Sequence, residues 1–189
     1  MADTTEGYLK TTTQNFISRQ ATIDGAKQVQ VKGRSVIHHS VKVRGDLAIV
    51  RIGRYTEVGA GTVLEPPVNP LFAGNKNKDD DGKKKHIPMT IGSHTTIGEN
   101  CVINAAAIGS MVQVGASVKL GQRCIIKDCV ILEDGVELGD DTVIPPFTRI
   151  SKDKKADDVY DELPPSTSQI LQESSMDRFQ AFQQSQRQQ

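Results

Sequence analysis

The chain has 189 residues, of which 37% are hydrophobic and 4% aromatic, and its 23 Lys and Arg residues balance its 23 Asp and Glu residues. This length predicts one domain with appended segments, and the zero net charge argues against bulk binding of nucleic acid or of an anionic membrane. No apolar run approaches a membrane span, and the polar N-terminus is unlike a secretory signal peptide. Three cysteines in no framework spacing favour free thiols in a reducing compartment, so we expect the cytoplasm.

The N-terminal 28 residues are expected to lead into the fold as a separate segment. Two alternating stretches follow, from Val29 to Ile37 and from Val41 to Gly45, and they keep a six-residue spacing only loosely. We interpret them as the first, irregular coil of the fold that the rest of the chain predicts.

A regular six-residue repeat follows in two blocks of one phase. Each unit begins with an aliphatic residue, at Ile52, Val58, Leu64, Ile91, Ile97, Ile103, Ile108, Val114, Leu120, Ile126, Leu132, Leu138, Ile144 and Ile150. Gly usually comes next, where a positive φ would cost it no Cβ clash, and a small or β-branched residue usually comes four positions after the aliphatic one. A period of six fits neither an α-helix nor a continuing strand, but it fits a short strand followed by a tight corner.

We therefore predict an all-β fold, a parallel β-helix over residues 29–150 in which the aliphatic residues point inward. Its left hand follows from similarity to known hexapeptide proteins, because the usual crossover rule gives the opposite hand. A β-helix has an unpaired strand edge at each end, and such an edge can pair with another chain. Val29 and Val31 at one end and Val143 at the other are therefore candidate partner-binding residues.

The repeat stops between Leu64 and Ile91, where prolines and charged residues replace the aliphatic ones. This composition predicts a solvated loop, residues 66–90, extruded from one corner of the β-helix. A run of lysines ends its charged segment, and a long loop on a rigid scaffold is a common place for a partner contact. The candidate residues are Lys83, Lys84 and Lys85, although a run of this kind is more often simply solvated.

The repeat ends at Ile150, and residues 151–165 are predicted to form a polar connector. Ser166 with Gln169 fits a capping box, which predicts a helix over residues 166–184 and a frayed tail over 185–189. An apolar stripe would let this helix lie along the β-helix, and its members are Ile170, Leu171, Phe179 and Phe182.

Candidate metal or catalytic side chains are few. The spacing of the four histidines, His38, His39, His86 and His94, matches no zinc signature, so we expect them to be solvated or locally hydrogen-bonded. Cys101 and Cys124 occupy the small inward position, whereas Cys129 is expected to be exposed and unreactive. Arg44 and Asp46 are expected to form a structural ion pair at a corner.

Several stretches outside the repeat positions resemble the dynactin subunit 5 family. They are residues 44–54, 104–110, 114–115, 122–129 and 144–148, together with 18–20, 31–35 and 163–164. The resemblance implies a non-catalytic subunit of the dynactin pointed-end complex that has no cofactor and supports dynein-dependent transport along microtubules. It implies contacts with dynactin subunit 6, subunit 4, the pointed-end actin-related protein and cargo adaptors, and a place in the cytoplasm and cytoskeleton.

That family is similar in turn to the γ-class carbonic anhydrases, which share an Arg-Gly-Asp corner and a five-residue slip in the repeat and bind zinc through three histidines. The corresponding positions here carry Glu65, Glu99 and Asn104, so we expect neither zinc nor a catalytic residue. Two enzymatic alternatives stay open: a γ-carbonic anhydrase-like lyase, and a hexapeptide acyltransferase with His86 as its base.

Overall fold

A computed structural model of the chain describes residues 4–5, 7–72, 85–152 and 161–188. The chain winds into a left-handed parallel β-helix of about six turns with one C-terminal helix, as the repeat predicts. Each turn, or coil, contributes one short strand to each of three sheets, so the cross-section is a triangle. Successive coils stack about 4.8 Å apart, which is the spacing of hydrogen-bonded strands.

Sheet 1 has ten strands, and sheets 2 and 3 have six each. Sheet 1 contains β1 (Thr4–Thr5), β2 (Tyr8–Lys10), β3 (Phe16–Ser18), β6 (Val36–Ile37), β9 (Glu57–Val58), β12 (Thr96–Ile97), β15 (Gln113–Val114), β18 (Ile131–Leu132), β21 (Thr148–Ile150) and β22 (Asp161–Glu162). Sheet 2 contains β4 (Thr22–Asp24), β7 (Lys42–Arg44), β10 (Val63–Leu64), β13 (Val102–Ile103), β16 (Lys119–Leu120) and β19 (Glu137–Leu138). Sheet 3 contains β5 (Val29–Gly33), β8 (Val50–Arg54), β11 (Met89–Ile91), β14 (Ala107–Ile108), β17 (Ile125–Ile126) and β20 (Val143–Ile144). Two 3₁₀ turns lie at Ala26–Gln28 and Pro70–Phe72.

The aliphatic residue of each repeat points into the triangle and stacks on its equivalent in the next coil. Leu120, for example, pairs with Ile103 on one side and Leu138 on the other, and it is 1% exposed. Burying each such side chain contributes about 1.5–3 kcal/mol to the free energy of folding. Cys101 and Cys124 lie in the same core, as the repeat predicts.

Seven of the eight repeat glycines are required for a different reason from the one expected, and the exception is Gly139 in the last coil. None of the eight that directly follow an aliphatic repeat residue in the regular blocks has a positive φ. A Cβ on Gly53 would instead lie 2.4 Å from the carbonyl carbon of Gly92 in the next coil. The positive φ angles fall instead at the corners, on larger residues such as Tyr55 and His94 and on the corner glycines Gly61 and Gly135. Close stacking of the coils, not backbone freedom, therefore selects glycine.

The regular fold begins earlier than predicted. β3 already pairs in parallel with β6, and β4 with β7, so the first coil starts at Phe16 and Val29 begins its third strand. Before it, β2 pairs antiparallel with β3, which covers the N-terminal edge of sheet 1. At the other end, β22 pairs antiparallel with β21 and lies within the segment expected to be a connector.

Helix α1 (Thr167–Ser185) runs along the corner between sheets 3 and 1, where it contacts His94 and Tyr55. We call this the helix-covered corner. Its 19 residues span about 28 Å, close to the height of six stacked coils. Just before it, the amide of Leu163 donates to Phe147 in the last coil, and its Phe182 packs on Tyr8 beside the first coil. The helix therefore ties the last coil to the first.

Two expectations about this helix are wrong. Ser166 occupies the N-cap position but makes no side-chain capping hydrogen bond, and Gln169 bonds to Glu173 instead. Ile170 is 61% exposed, because the buried side is a column spaced by four residues. That column consists of Thr167, Leu171, Ser175 and Phe179.

The aromatic residues form a second cluster outside the triangle. Five of the chain's eight Phe and Tyr residues meet where the N-terminal hairpin, the first coils and α1 converge: Tyr8, Phe16, Tyr55, Phe179 and Phe182. The core of the triangle contains only smaller apolar side chains. Hence the aliphatic repeat builds the β-helix, and the aromatic residues attach the two terminal segments to it.

Candidate functional site

The corner between sheets 2 and 3 carries the described stem of the predicted loop and two of the three positions that correspond to metal ligands, Glu65 and Asn104. We call it the loop-bearing corner. It joins each strand of sheet 2 to the next strand of sheet 3, and the five-residue slip of the repeat falls within the turn from β13 to β14, between Ile103 and Ile108. The coil register therefore brings Arg44, Glu65 and Asn104 to one corner.

Arg44 is the centre of an ionic network at this corner. Its guanidinium binds Asp46 through two hydrogen bonds, from Nε to Oδ1 at 2.8 Å and from Nη2 to Oδ2 at 2.9 Å. These bonds raise the pKa of Arg44 and lower that of the Asp46 carboxyl. Asp24 and Glu65 lie on either side, 3.7 and 3.9 Å from the guanidinium. The expected Arg44–Asp46 pair is confirmed, and it links three successive coils.

The residues at the metal positions do not converge in this chain. The Glu65 carboxylate faces Arg44, and the Asn104 side chain donates to the Glu65 backbone carbonyl at 3.3 Å. Glu99 is exposed at a different corner, between sheets 1 and 2. Among the described residues, no group of three or more His, Cys, Asp or Glu side chains could hold a metal ion. These side chains therefore do not form the convergent set of three ligands that catalytic zinc requires.

The stem of the extruded loop is fixed to the same corner. Val68 and His86 form an antiparallel bridge, and the amide of Val68 donates to the Gln122 side chain at 2.8 Å. Arg123 contacts the Val68 carbonyl and forms two 2.6 Å hydrogen bonds to Asp141. The loop thus starts from a stem held against coils further along the stack.

The loop lysines are only partly within the described part of the chain. Lys83 and Lys84 lie outside it. Lys85 is half-buried in the stem, where its carbonyl accepts a hydrogen bond from the amide of Asn69.

Three histidines are held by local hydrogen bonds, as expected. The His38 ring forms hydrogen bonds with Glu57 at 2.8 Å and with Tyr8 at 3.1 Å. The hydrogen bond from His38 lowers the pKa of Glu57. His39 contacts its neighbour Ser40.

His94 is tied to the C-terminal helix. Its Nδ1 lies 2.8 Å from the hydroxyl of Ser175 in α1, and its ring stacks on Tyr55. Burial lowers its pKa.

His86 differs from the other three, because its Nδ1 is buried and has no hydrogen-bond partner among the described residues. A general base normally needs a partner that orients its ring. The described geometry supplies none to His86.

Cys129 is not exposed, contrary to the sequence expectation. It is 2% exposed at the helix-covered corner, where it has the same positive-φ corner conformation as Tyr55 and His94. Burial and the neighbouring Asp128 raise the pKa of its thiol, which agrees with the expected lack of reactivity.

Sequence reasoning missed Gln122, Arg123 and Asp24 at the loop-bearing corner. Arg123 and Asp141 are 18 residues apart, which is one coil of three six-residue units, and Lys119 pairs with Glu137 at the same separation. Opposite charges 18 residues apart were therefore a usable sequence signal for this network.

The fold and this corner define a class of protein: a hexapeptide-repeat β-helix in which two of the three metal positions, Glu65 and Asn104, belong to an ion-paired and hydrogen-bonded network. The family model for dynactin subunit 5 matches residues 2–187, so the chain belongs to the dynactin subunit 5 family. Family membership supports a role as a subunit of dynactin.

Curated relatives and solved structures are similar to the chain. It is 36% identical over 101 residues to dynactin subunit 5 of Dictyostelium discoideum, and the alignment spans 53% of this chain and 46% of that relative. The chain thus spans about half the length of this curated relative.

The structural neighbours are similar in fold alone. A hexapeptide transferase family protein of Anaplasma phagocytophilum has a TM-score of 0.58 at 16% identity, covering 88% of this chain and 90% of that one. A mutant of the Bacillus cereus N-acyltransferase AntD, in complex with dTDP and coenzyme A, has a TM-score of 0.63 at 11% identity, covering 87% and 88%.

Proposed function

We propose that this chain is a non-catalytic assembly subunit of the dynactin pointed-end complex that joins its neighbours end to end through open strand edges. The observation that carries the proposal is the difference between the sheets at their ends. Sheets 2 and 3 finish at β4, β5, β19 and β20 with no further strand beyond them in the described residues. Unpaired strand edges favour pairing with another chain.

The hydrogen-bond register supports pairing at the C-terminal end of sheet 3. The amides of Thr90 and Ile125 donate to carbonyls of the following coil. Val143 pairs in register with Ile125, so its amide points toward the position of a further coil, which the described residues do not provide. The Val143 side chain is 53% exposed beside it. A strand of a second β-helix would accept that hydrogen bond.

The N-terminal end of sheet 3 is more covered. Val29 and Val31 are half-buried in β5, and the Val31 carbonyl accepts a 3.4 Å hydrogen bond from the side chain of Asn15. Both residues remain candidates, but the C-terminal end is the better docking edge.

The proposed partners follow from the family. Dynactin subunit 6 is the β-helix expected to pair with this chain, and subunit 4 and the pointed-end actin-related protein complete the assembly. Through it we propose contacts with cargo adaptors and a role in dynein-dependent transport along microtubules. The site of action is the cytoplasm and its cytoskeleton. Within the described residues, no helix is both long and apolar enough to cross a membrane.

The absence of catalysis is part of the proposal and rests on the loop-bearing corner. Glu65 and Asn104 are engaged with Arg44 and with each other, which leaves no open coordination position of the kind that catalytic zinc requires. The acyltransferase neighbours share the fold only, so they add no argument for acyl transfer.

A zinc and activity assay tests this part. Purified full-length chain is expected to contain no stoichiometric zinc, to hydrate no carbon dioxide and to bind no acetyl-CoA. One equivalent of zinc that is lost in a Glu65→Ala, Glu99→Ala, Asn104→Ala variant would refute the non-catalytic proposal.

A pull-down tests the assembly proposal. Tagged chain recovered from cell extract should carry dynactin subunits 4 and 6 and the actin-related protein, identified by mass spectrometry. Recovery of the tagged chain without any dynactin subunit would contradict it.

A further inference from the structure

A cavity of about 300 Å³ opens at the helix-covered corner, beside the first coils. The turn before β3 contributes Thr12, Thr13 and Gln14 to its lining, and β5, β8 and the corner residues after them contribute Lys32, Arg34, Arg54 and Tyr55. Gly33 forms part of the lining, and a Cβ at that position would lie 2.9 Å from the Thr13 carbonyl oxygen. The cavity is therefore lined by three cations, three hydroxyl groups and one amide, with no carboxylate.

Among the described residues, the three cations of this cavity have no carboxylate partner, in contrast to four arginines elsewhere in the chain. Arg44, Arg123, Arg149 and Arg178 each lie within 4 Å of a carboxylate. Among the described residues, no ion pair of this kind involves Lys32, Arg34 or Arg54. A concave cluster of unpaired cations concentrates positive potential in a chain that is neutral overall.

Arg34 is held in place by neutral groups. Its Nε donates to the Gln14 side-chain oxygen at 3.3 Å, and its Nη1 donates to the Tyr55 hydroxyl. The Tyr55 ring also lies under the guanidinium, 5.5 Å from its centre. These contacts fix the orientation of the guanidinium without neutralising it, so less side-chain entropy is lost when an anion binds.

We infer that this cavity is a binding site for a phosphoryl group carried by a polypeptide segment. A phosphoryl dianion offers three acceptor oxygens and about two negative charges, which matches several cations with hydroxyl donors beside them better than a carboxylate does. The cavity volume of about 300 Å³ is at the lower limit of ligand sites. The cavity therefore has room for a phosphoryl group and the short stretch of polypeptide that bears it. The proposal is independent of the end-to-end pairing described above.

Titration of the full chain with inorganic phosphate, followed by ¹⁵N NMR at constant ionic strength, tests the anion site. The amides of Thr13, Gln14 and Arg34 are expected to shift saturably. A Lys32→Gln, Arg54→Gln variant should bind about tenfold more weakly or worse, because two charge-assisted hydrogen bonds are lost. The control, Arg19→Gln with Lys27→Gln, removes the same charge from exposed positions elsewhere and should bind as the wild type does. Equal weakening in both variants, or shifts that never saturate, would overturn the proposal.

Peptides identify the carrier of the phosphoryl group. A short Gly-rich peptide with one phosphoserine is expected to bind more tightly than inorganic phosphate, and the same peptide with Ser or Glu more weakly than either. If the phosphopeptide bound no better than inorganic phosphate, the polypeptide carrier would be wrong. If the Glu peptide bound equally well, the phosphoryl assignment would be wrong.

Discussion

Sheets 1 and 3 are built from the same six-residue repeat, yet they end in opposite ways. Sheet 1 is continued at both ends by antiparallel strands, β2 and β22, which use its edge hydrogen bonds within the chain. Sheet 3 ends at β5 and β20 with no such strand in the described residues. The repeat alone therefore does not decide where the stack stops, since the terminal segments close one sheet and leave the others able to pair.

Two corners of the β-helix also differ from each other, although the same repeat builds both. Helix α1 covers the corner between sheets 3 and 1 and buries side chains there, whereas the loop-bearing corner is stabilised by ion pairs at the surface. Surface ion pairs contribute little each, so the aliphatic core and the helix-covered corner hold most of the stability. Mutations should therefore lower the stability most in the aliphatic core and at the helix-covered corner, and least at the loop-bearing corner.

The largest effect is expected in the aliphatic core. Leu120→Asp places a charge in the triangle without a partner, which costs several kcal/mol and should unfold the domain. The matched control is Val102→Asp, because Val102 lies on the outer face of the adjacent strand β13 and is 41% exposed. Thermal melting by circular dichroism compares them. A Leu120→Asp protein that melted near the wild-type temperature would disprove the inward register.

The helix-covered corner should give the next largest effect. Phe179→Ala removes the ring that contacts Phe16 and Tyr55 and should cost about 3 kcal/mol. Faster hydrogen exchange should be concentrated in α1 and the N-terminal hairpin, because the aromatic cluster joins these two segments. The control Gln180→Ala changes an exposed neighbour and should exchange as the wild type does. Unchanged exchange in the Phe179 variant would show that the cluster does not hold the helix.

A smaller, pH-dependent effect is expected at His94. Its pKa is lowered in the folded chain, so the unfolded chain binds a proton first as the pH falls, and stability decreases below about pH 6.5 until the folded form also becomes protonated. His94→Asn tolerates the positive φ, removes this titration and should lessen the loss of stability below about pH 6.5. A slope of stability against pH that is unchanged in this variant would contradict the assignment.

The sequence predicts the repetitive part of this fold well, because the repeat is a local pattern that each coil reproduces. It predicts the inward position of Leu120 and Cys101 and the pairing of Arg44 with Asp46. It cannot predict the burial of Cys129, because that depends on which corner the distant helix covers.

The cavity at the helix-covered corner was missed for a related reason. Its lining residues become neighbours only when the coils are stacked so that Gln14, Arg34 and Tyr55 occupy equivalent corner positions. The sequence does not predict this alignment, because the six-residue spacing is too loose in the first coil.

The smallest effect is expected in the extruded loop. Deleting residues 75–84 keeps the stem, in which Asn69 bonds Lys85, and changes the closure free energy by less than about 1 kcal/mol. Melting should shift by a few degrees at most. A large loss of stability would mean that the loop packs on the β-helix.

Co-purification with dynactin subunit 6 tests the central claim most directly. Val143→Pro removes the amide that points beyond the last coil, so it should weaken pairing strongly while melting remains near wild type. Val143→Ala keeps that amide and is the matched control, which should retain most of the pairing, as should the loop deletion. If the loop deletion abolished co-purification while folded Val143→Pro protein retained it, pairing through the strand edge would be wrong and the loop would be the interface.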